Sequence, residues 1–157
     1  MRARPETPPP DEAWFREKET EAGEAERRVE AILSSAAAAA PEMVALESAI
    51  AELSIERARL EPEEIQLERR RLAARDAPSA ERVDDIETRY RRLIYALRRS
   101  MEACRTLRFL LEQRGTDVMA EDDLRRSNVA IRSAQKVLVD TIGRLSEDAS
   151  QGPIVVQ

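Results

Sequence analysis

The chain has 157 residues, of which 36% are charged and 3% aromatic, with a formal net charge of −5, no histidine and one cysteine. This balance is closer to long packed helices than to a thick globule, and one cysteine excludes an internal disulfide. Without histidine the chain lacks the commonest acid–base group and the Glu-x-x-His pairs of di-iron bundles. We therefore expect a non-enzymatic protein without a metal or other cofactor, which acts through its surfaces.

The sequence contains no signal for secretion or membrane insertion. The first thirty or so residues lack the apolar segment that forms the core of a signal peptide. The longest uninterrupted apolar run covers residues 36–40, far below the roughly 20 residues that a membrane span needs. We therefore expect a soluble, cytoplasmic chain.

The N-terminal part begins with an arm and continues as a helix. Residues 1–10 end in three consecutive prolines, which cannot continue a helix, so the sequence predicts an extended arm. Asp11 and Glu12 then supply a helix cap and a first-turn charge. Small apolar residues at heptad spacing predict the first helix over about 12–40.

A second helix is predicted over about 41–75, because proline is well tolerated at a first helical position. Pro62 removes a backbone donor, so we expect a kink there and a change of phase that lets Ile65 and Leu72 continue the apolar stripe. Before the proline the predicted seam consists of Leu46, Ile50, Leu53 and Leu60.

The third helix, over about 79–114, has the most regular seam of the chain. Its length matches that of the second helix across a short polar turn, which predicts an antiparallel hairpin. A cysteine on such a seam is usually a small buried apolar residue. The predicted seam positions are Ile86, Tyr90, Leu93, Leu97, Cys104, Leu107 and Leu111.

A fourth helix over about 121–148 completes a helical region that spans residues 11–148. Three consecutive acidic residues open this helix, where they oppose the positive end of its dipole. Its predicted seam positions are Ile131, Leu138 and Leu145.

Two segments are candidates for docking a partner. Trp14 and Phe15 form the one strong aromatic pair, and they either fold back over the end of the bundle or anchor a partner. Residues 149–157 predict a tail that is either disordered or adds a strand to a neighbour's sheet. The apolar residues of this tail are Ile154, Val155 and Val156.

The third helix also carries a row of arginines. Arg91, Arg98 and Arg105 are seven residues apart and share one face, and Arg92 and Arg99 lie beside them. Such a row can neutralise phosphates of a nucleic acid, or it can pair with glutamates of the acidic first two helices. Because the chain is acidic overall and lacks the interleaved aromatics of single-strand binders, pairing with glutamate is favoured.

These patterns predict an all-α protein, an elongated antiparallel hairpin or coiled-coil bundle of three to four helices with extended termini. Because its seams outnumber what one thin hairpin can cover, we expect it to form a homo-oligomer or to join a larger complex as a structural or adaptor subunit.

Two other functions are alternatives to the adaptor subunit. The layout resembles that of phage small terminase subunits, whose cores are helical hairpins arranged in rings. This resemblance implies a nucleic-acid-handling oligomer that acts in DNA packaging and is associated with the virion. The other alternative is a small enzyme built on a helical bundle with arginine and glutamate as its site residues, as in chorismate-mutase-like folds.

Overall fold

A computed structural model describes residues 10–37, 42–116 and 120–150 of the chain. These residues form four helices, and the all-α class predicted from the apolar spacing is confirmed. Residues 1–9 of the predicted arm, Pro41 and the tail beyond residue 150 lie outside the described residues. The four helices are α1 (Glu12–Ala36), α2 (Met43–Ala73), α3 (Ala80–Thr116) and α4 (Glu121–Ser150).

Local sequence signals explain where the helices begin and how they continue. The Asp11 side chain accepts a hydrogen bond of 2.8 Å from the backbone N–H of Trp14, which caps α1. α2 remains one helix through Pro62, which lies on its exposed side. The backbone donor that Pro62 lacks would have bonded the carbonyl of Ala58, and that residue is exposed as well. The proline therefore does not end the helix.

The helices pack as a bundle in which α1 and α3 occupy the middle. α1, α2 and α3 contact one another, α4 packs against α1 and α3, and α2 and α4 make no contact within the described residues. Ion pairs join Arg71 to Glu87 and Arg98 to Glu61, so residue numbers rise along α3 as they fall along α2. α2 and α3 are therefore antiparallel.

The core side of α2 follows a strict seven-residue period that Pro62 does not shift. Leu53 and Leu60 are buried before the proline, and Leu67 is buried after it. Ile65 and Leu72, predicted to continue this stripe, are exposed, so that expectation was wrong. These two residues are exposed because the helix keeps the same seven-residue phase through the proline. We call the core-facing residues of α2 the inner seam: Leu46, Ala49, Leu53, Glu56, Leu60 and Leu67.

The residues predicted for the helix seams lie in or beside the core. Ile50 and Leu111 are half-buried and pack against it. Cys104 is fully buried, and burial raises the pKa of its thiol to about 11, so this thiol stays protonated and unreactive at neutral pH. The other buried positions of the prediction are Leu46, Leu53, Leu60, Ile86, Tyr90, Leu93, Leu97, Leu107, Ile131, Leu138 and Leu145.

Candidate interaction surfaces

Buried glutamates join the three helices α1, α2 and α3 to one another. In each of the three interfaces a glutamate that is nearly inaccessible to solvent accepts a hydrogen bond from an arginine of the facing helix. A slip of one helix by one turn would leave a buried carboxylate unpaired, which is strongly destabilising. These bonds therefore select one helix register. The pairs are Glu26 with Arg89, Glu56 with Arg28 and Glu87 with Arg71.

Sequence reasoning missed this set. The signal is a glutamate at a position where the apolar period requires a core residue, as Glu56 lies three residues after Leu53 and four before Leu60.

Among these three glutamates, Glu26 is the one with a buried oxygen that lacks a partner in the described part of the chain. One of its oxygens accepts a bond from Arg89, while Oε2 is buried without a hydrogen-bond partner among the described residues. Burial raises the pKa of Glu26 above its ordinary value, and the Arg89 guanidinium only partly opposes that effect. Arg89 also donates to the backbone carbonyl of Asp148 at 3.3 Å, so this pair connects α4 to α1 and α3.

The aromatic pair Trp14 and Phe15 lies over one end of the bundle. Phe15 is buried and Trp14 is half-buried, with their ring centroids 5.2 Å apart in an edge-to-face arrangement. The guanidinium of Arg70 lies 4.8 Å from the Trp14 ring, and that of Arg82 lies 4.4 Å from the Phe15 ring. Of the two predicted alternatives, the structure places the pair in the fold-back arrangement. The other docking candidates, Ile154, Val155 and Val156, lie outside the described residues.

Two arginines of the predicted row bind glutamates of the bundle. Arg98 donates to Glu61 of α2 at 2.9 Å, and Arg91 donates to Glu87 and lies 3.6 Å from Glu64. Arg57 and Arg98 together lower the pKa of Glu61 through these hydrogen bonds.

The remaining arginines of the row face solvent beside exposed aromatic rings. Arg92 and Arg105 make no ion pair within the described part of the chain, and Arg99 lies 5.8 Å from the ring of Tyr95. Tyr95 and Phe109 are 60% and 58% exposed. Two exposed rings, Tyr95 and Phe109, therefore lie among the arginines of the outer face of α3, where the sequence led us to expect no interleaved aromatics.

The outer face of α2 carries a second apolar stripe, which no described helix covers. Its positions alternate in steps of four and three residues along the whole helix, and all nine are exposed. The four largest apolar members, Val44, Ile55, Ile65 and Leu72, are 76%, 60%, 48% and 53% exposed. We call this set the outer seam: Val44, Ser48, Ala51, Ile55, Ala58, Pro62, Ile65, Arg69 and Leu72.

The two seams lie on opposite faces of α2. Ile55 follows Leu53 by two residues, which is about 200° around a helix of 3.6 residues per turn. From Val44 to Leu72 the outer seam extends for about 42 Å at 1.5 Å per residue. An exposed apolar stripe of this spacing is typical of a helix that packs against another helix. Sequence reasoning missed it because Ile65 and Leu72 were assigned to the inner seam.

No protein-family model matches this chain, and neither a curated protein nor a solved structure matches it. None of the helices within residues 10–37, 42–116 and 120–150 has a segment long and apolar enough to cross a bilayer.

Proposed function

We propose that this protein is a non-enzymatic structural or adaptor subunit that assembles with another helix through the outer seam of α2. The observation that carries this proposal is the outer seam itself, a heptad-spaced stripe of nine exposed positions of which seven are apolar. Covering apolar surface is favourable by roughly 25 cal/mol per Å². Because α2 already uses its opposite face for the core, the outer seam can be covered only from outside the described bundle.

The charged residues around the outer seam are arranged as at an interface between two helices, and differently from those of the bundle's own core. The inner seam includes the buried Glu56, which Arg28 of α1 binds at 2.9 Å. The outer seam is flanked instead by exposed charged residues, among them Glu52, Arg59 and Glu68. An apolar strip with charged edges is the arrangement found where two helices pair side by side.

The proposal is tested by light scattering after size-exclusion chromatography of the full chain at two salt concentrations. Double substitution Ile55→Glu and Ile65→Glu places two charges in the outer seam. We expect the wild-type chain to elute as an assembly at both salt concentrations, since apolar contacts are not screened by salt. The double variant should elute at the mass of one chain.

A matched control is the double substitution Val129→Glu and Val139→Glu. These two α4 residues are exposed to a similar degree but lie outside the outer seam. The control variant should assemble like wild type, and circular dichroism should show the same helix content in all three proteins. A wild-type chain with the mass of one copy, or an assembly that the Ile55→Glu and Ile65→Glu changes leave intact, would contradict the proposal.

A nucleic-acid-binding oligomer is a second candidate function, favoured by the outer face of α3. There Arg92 and Arg99 flank the exposed ring of Tyr95 at three and four residues, and Arg105 precedes Phe109 by one turn. Such a face combines phosphate neutralisation with rings on which bases stack.

This second function is tested with the same chromatography after addition of single-stranded DNA. A complex should form at low salt and dissociate at high salt, and substitution of Arg92 and Arg99 by alanine should abolish it. Substitution of Arg125 by alanine is the control, because this exposed α4 arginine lies 3.1 Å from Glu121 and outside the α3 face. The absence of any DNA complex at low salt would remove this candidate.

A further inference from the structure

We infer that the helix that covers the outer seam is α2 of a second copy of this chain, packed antiparallel about a two-fold axis. This inference rests on the proposed function and specifies its partner. In the inferred register Ile55 faces the partner's Ala58, and Val44 faces the partner's Arg69. The two outer seams then overlap from Val44 to Arg69.

Charge complementarity selects this arrangement. Glu52 and Arg59 lie on the same edge of the outer seam, seven residues apart, and both are exposed. In the inferred register Glu52 lies beside two layers of facing seam residues, Ala51 with the partner's Pro62 and Ile55 with the partner's Ala58. The partner's Arg59 lies beside the same two layers, and the two-fold axis repeats this pair of charges. Glu52 makes no ion pair within the described residues, and Arg59, whose side chain is 57% exposed, makes one ion pair there, with the buried Glu56 at 3.4 Å. Both side chains are therefore available to a partner.

Side-chain size is complementary in the same register. Each contact layer combines a larger apolar side chain with a small or flexible one, so the layers can interdigitate at close helix separation. One edge places Glu47 beside the partner's Glu68, and the partner's Arg69 lies in the adjoining layer, where it offsets that repulsion. The facing residues are Val44 with Arg69, Ser48 with Ile65, Ala51 with Pro62, and Ile55 with Ala58.

Other arrangements of the same two helices juxtapose like charges. A parallel pair would place Arg69 against the partner's Arg69 in the seam and Glu47 beside the partner's Glu52. An antiparallel pair shifted by one heptad would place either Glu52 beside the partner's Glu52 or Arg59 beside the partner's Arg59. Like charges directly opposite each other are destabilising. Of these arrangements, the inferred register is the one that pairs Glu52 with the partner's Arg59, and its like-charged edge pair, Glu47 with the partner's Glu68, has the partner's Arg69 in the adjoining layer.

Charge reversal on full-length protein tests the pairing. Glu52→Arg alone and Arg59→Glu alone should each raise the Kd of self-association by about tenfold or more, since each places two like-charged pairs in the interface. An equimolar mixture of the two variants should associate about as tightly as wild type. Circular dichroism checks that both variants remain folded. A mixture that associates no better than the single variants would overturn the inferred register.

Cysteine cross-linking tests the direction of the helices independently. The native Cys104 is fully buried and stays out of the reaction. With oxidised glutathione, a mixture of Val44→Cys and Arg69→Cys proteins should form the disulfide-linked heterodimer, whereas Val44→Cys protein alone should not cross-link. Cross-linking of Val44→Cys protein to itself would show a parallel pair and overturn the inference while leaving assembly through the outer seam intact. A wild-type chain that does not associate would contradict the proposed function itself.

Discussion

The inner and outer seams of α2 share one helix and one spacing, yet their surroundings differ. The inner seam is covered by α1 and α3, and the glutamate within it, Glu56, is held by Arg28. The outer seam has no cover among the described residues, and its charged neighbours stand exposed at its edges. Apolar spacing alone therefore identifies a helix that packs, whereas the position of the charges distinguishes a completed interface from an open one.

The largest difference in stability is expected between substitutions of Leu53 and Ile55, which lie two positions apart on α2. Leu53→Asp places a charge in the core without a partner and should cost several kcal/mol, a large part of a typical stability of about 5–15 kcal/mol. Ile55→Asp, on the outer seam, should change the stability of the dilute single chain by no more than about 0.5 kcal/mol. Chemical denaturation of both variants, monitored by circular dichroism, measures the difference. Equal losses would show that the two faces of α2 are not distinct.

An intermediate contrast is expected between a buried and an exposed glutamate. Glu87 is fully buried and binds Arg71 and Arg91, so Glu87→Ala leaves these two arginines with only their longer contacts, 3.8 Å to Asp84 and 3.6 Å to Glu64. Because both arginines are partly exposed, we expect a loss of about 2 kcal/mol, below the roughly 3–5 kcal/mol of a fully buried broken pair.

Glu52→Ala, beside the outer seam, is the control for Glu87→Ala. It should leave the unfolding free energy of the dilute chain unchanged, because the Glu52 side chain is exposed. Urea denaturation measures both changes. If Glu87→Ala unfolds at the same urea concentration as Glu52→Ala, the buried pairs do not hold the helix register.

The smallest expected effect is the pH dependence that Glu26, which joins α1 to α3, adds to the free energy of unfolding. Since burial raises the pKa of Glu26 in the folded chain, the folded state binds a proton before the unfolded state does as the pH falls. Its contribution to the free energy of unfolding should therefore increase as the pH falls from neutrality toward the ordinary glutamate pKa of 4.5. Glu12 and Glu61 have lowered pKa values, and the stability they contribute is lost only below their ordinary value of 4.5.

The pH effect is measured as the difference in unfolding free energy between wild type and Glu26→Gln. The glutamine keeps the shape and an acceptor for Arg89 but does not titrate. Wild type should gain stability relative to this variant as the pH falls through that interval. A difference that stays constant, or that changes in the opposite direction, would show that Glu26 is solvated or fully compensated by Arg89.

The four helices follow from the sequence because heptad spacing, helix caps and turns are local signals. The buried glutamates do not, since a glutamate at a seam position looks like one that faces solvent and its arginine lies 16 to 63 residues away. The outer seam was obscured for another reason. Pro62 suggested a change of phase, so Ile65 was assigned to the wrong face, although Leu67 continues the buried period.

Under the proposed function, the inner seam folds the chain and the outer seam joins it to another copy. The most direct test is the thermal midpoint of the full chain as a function of protein concentration, for wild type and for Ile55→Glu. Association stabilises the folded state by mass action, so the wild-type midpoint should rise with concentration. The midpoint of Ile55→Glu should stay constant at the value that wild type approaches on dilution. A wild-type midpoint independent of concentration, or a variant midpoint that still rises, would contradict this account.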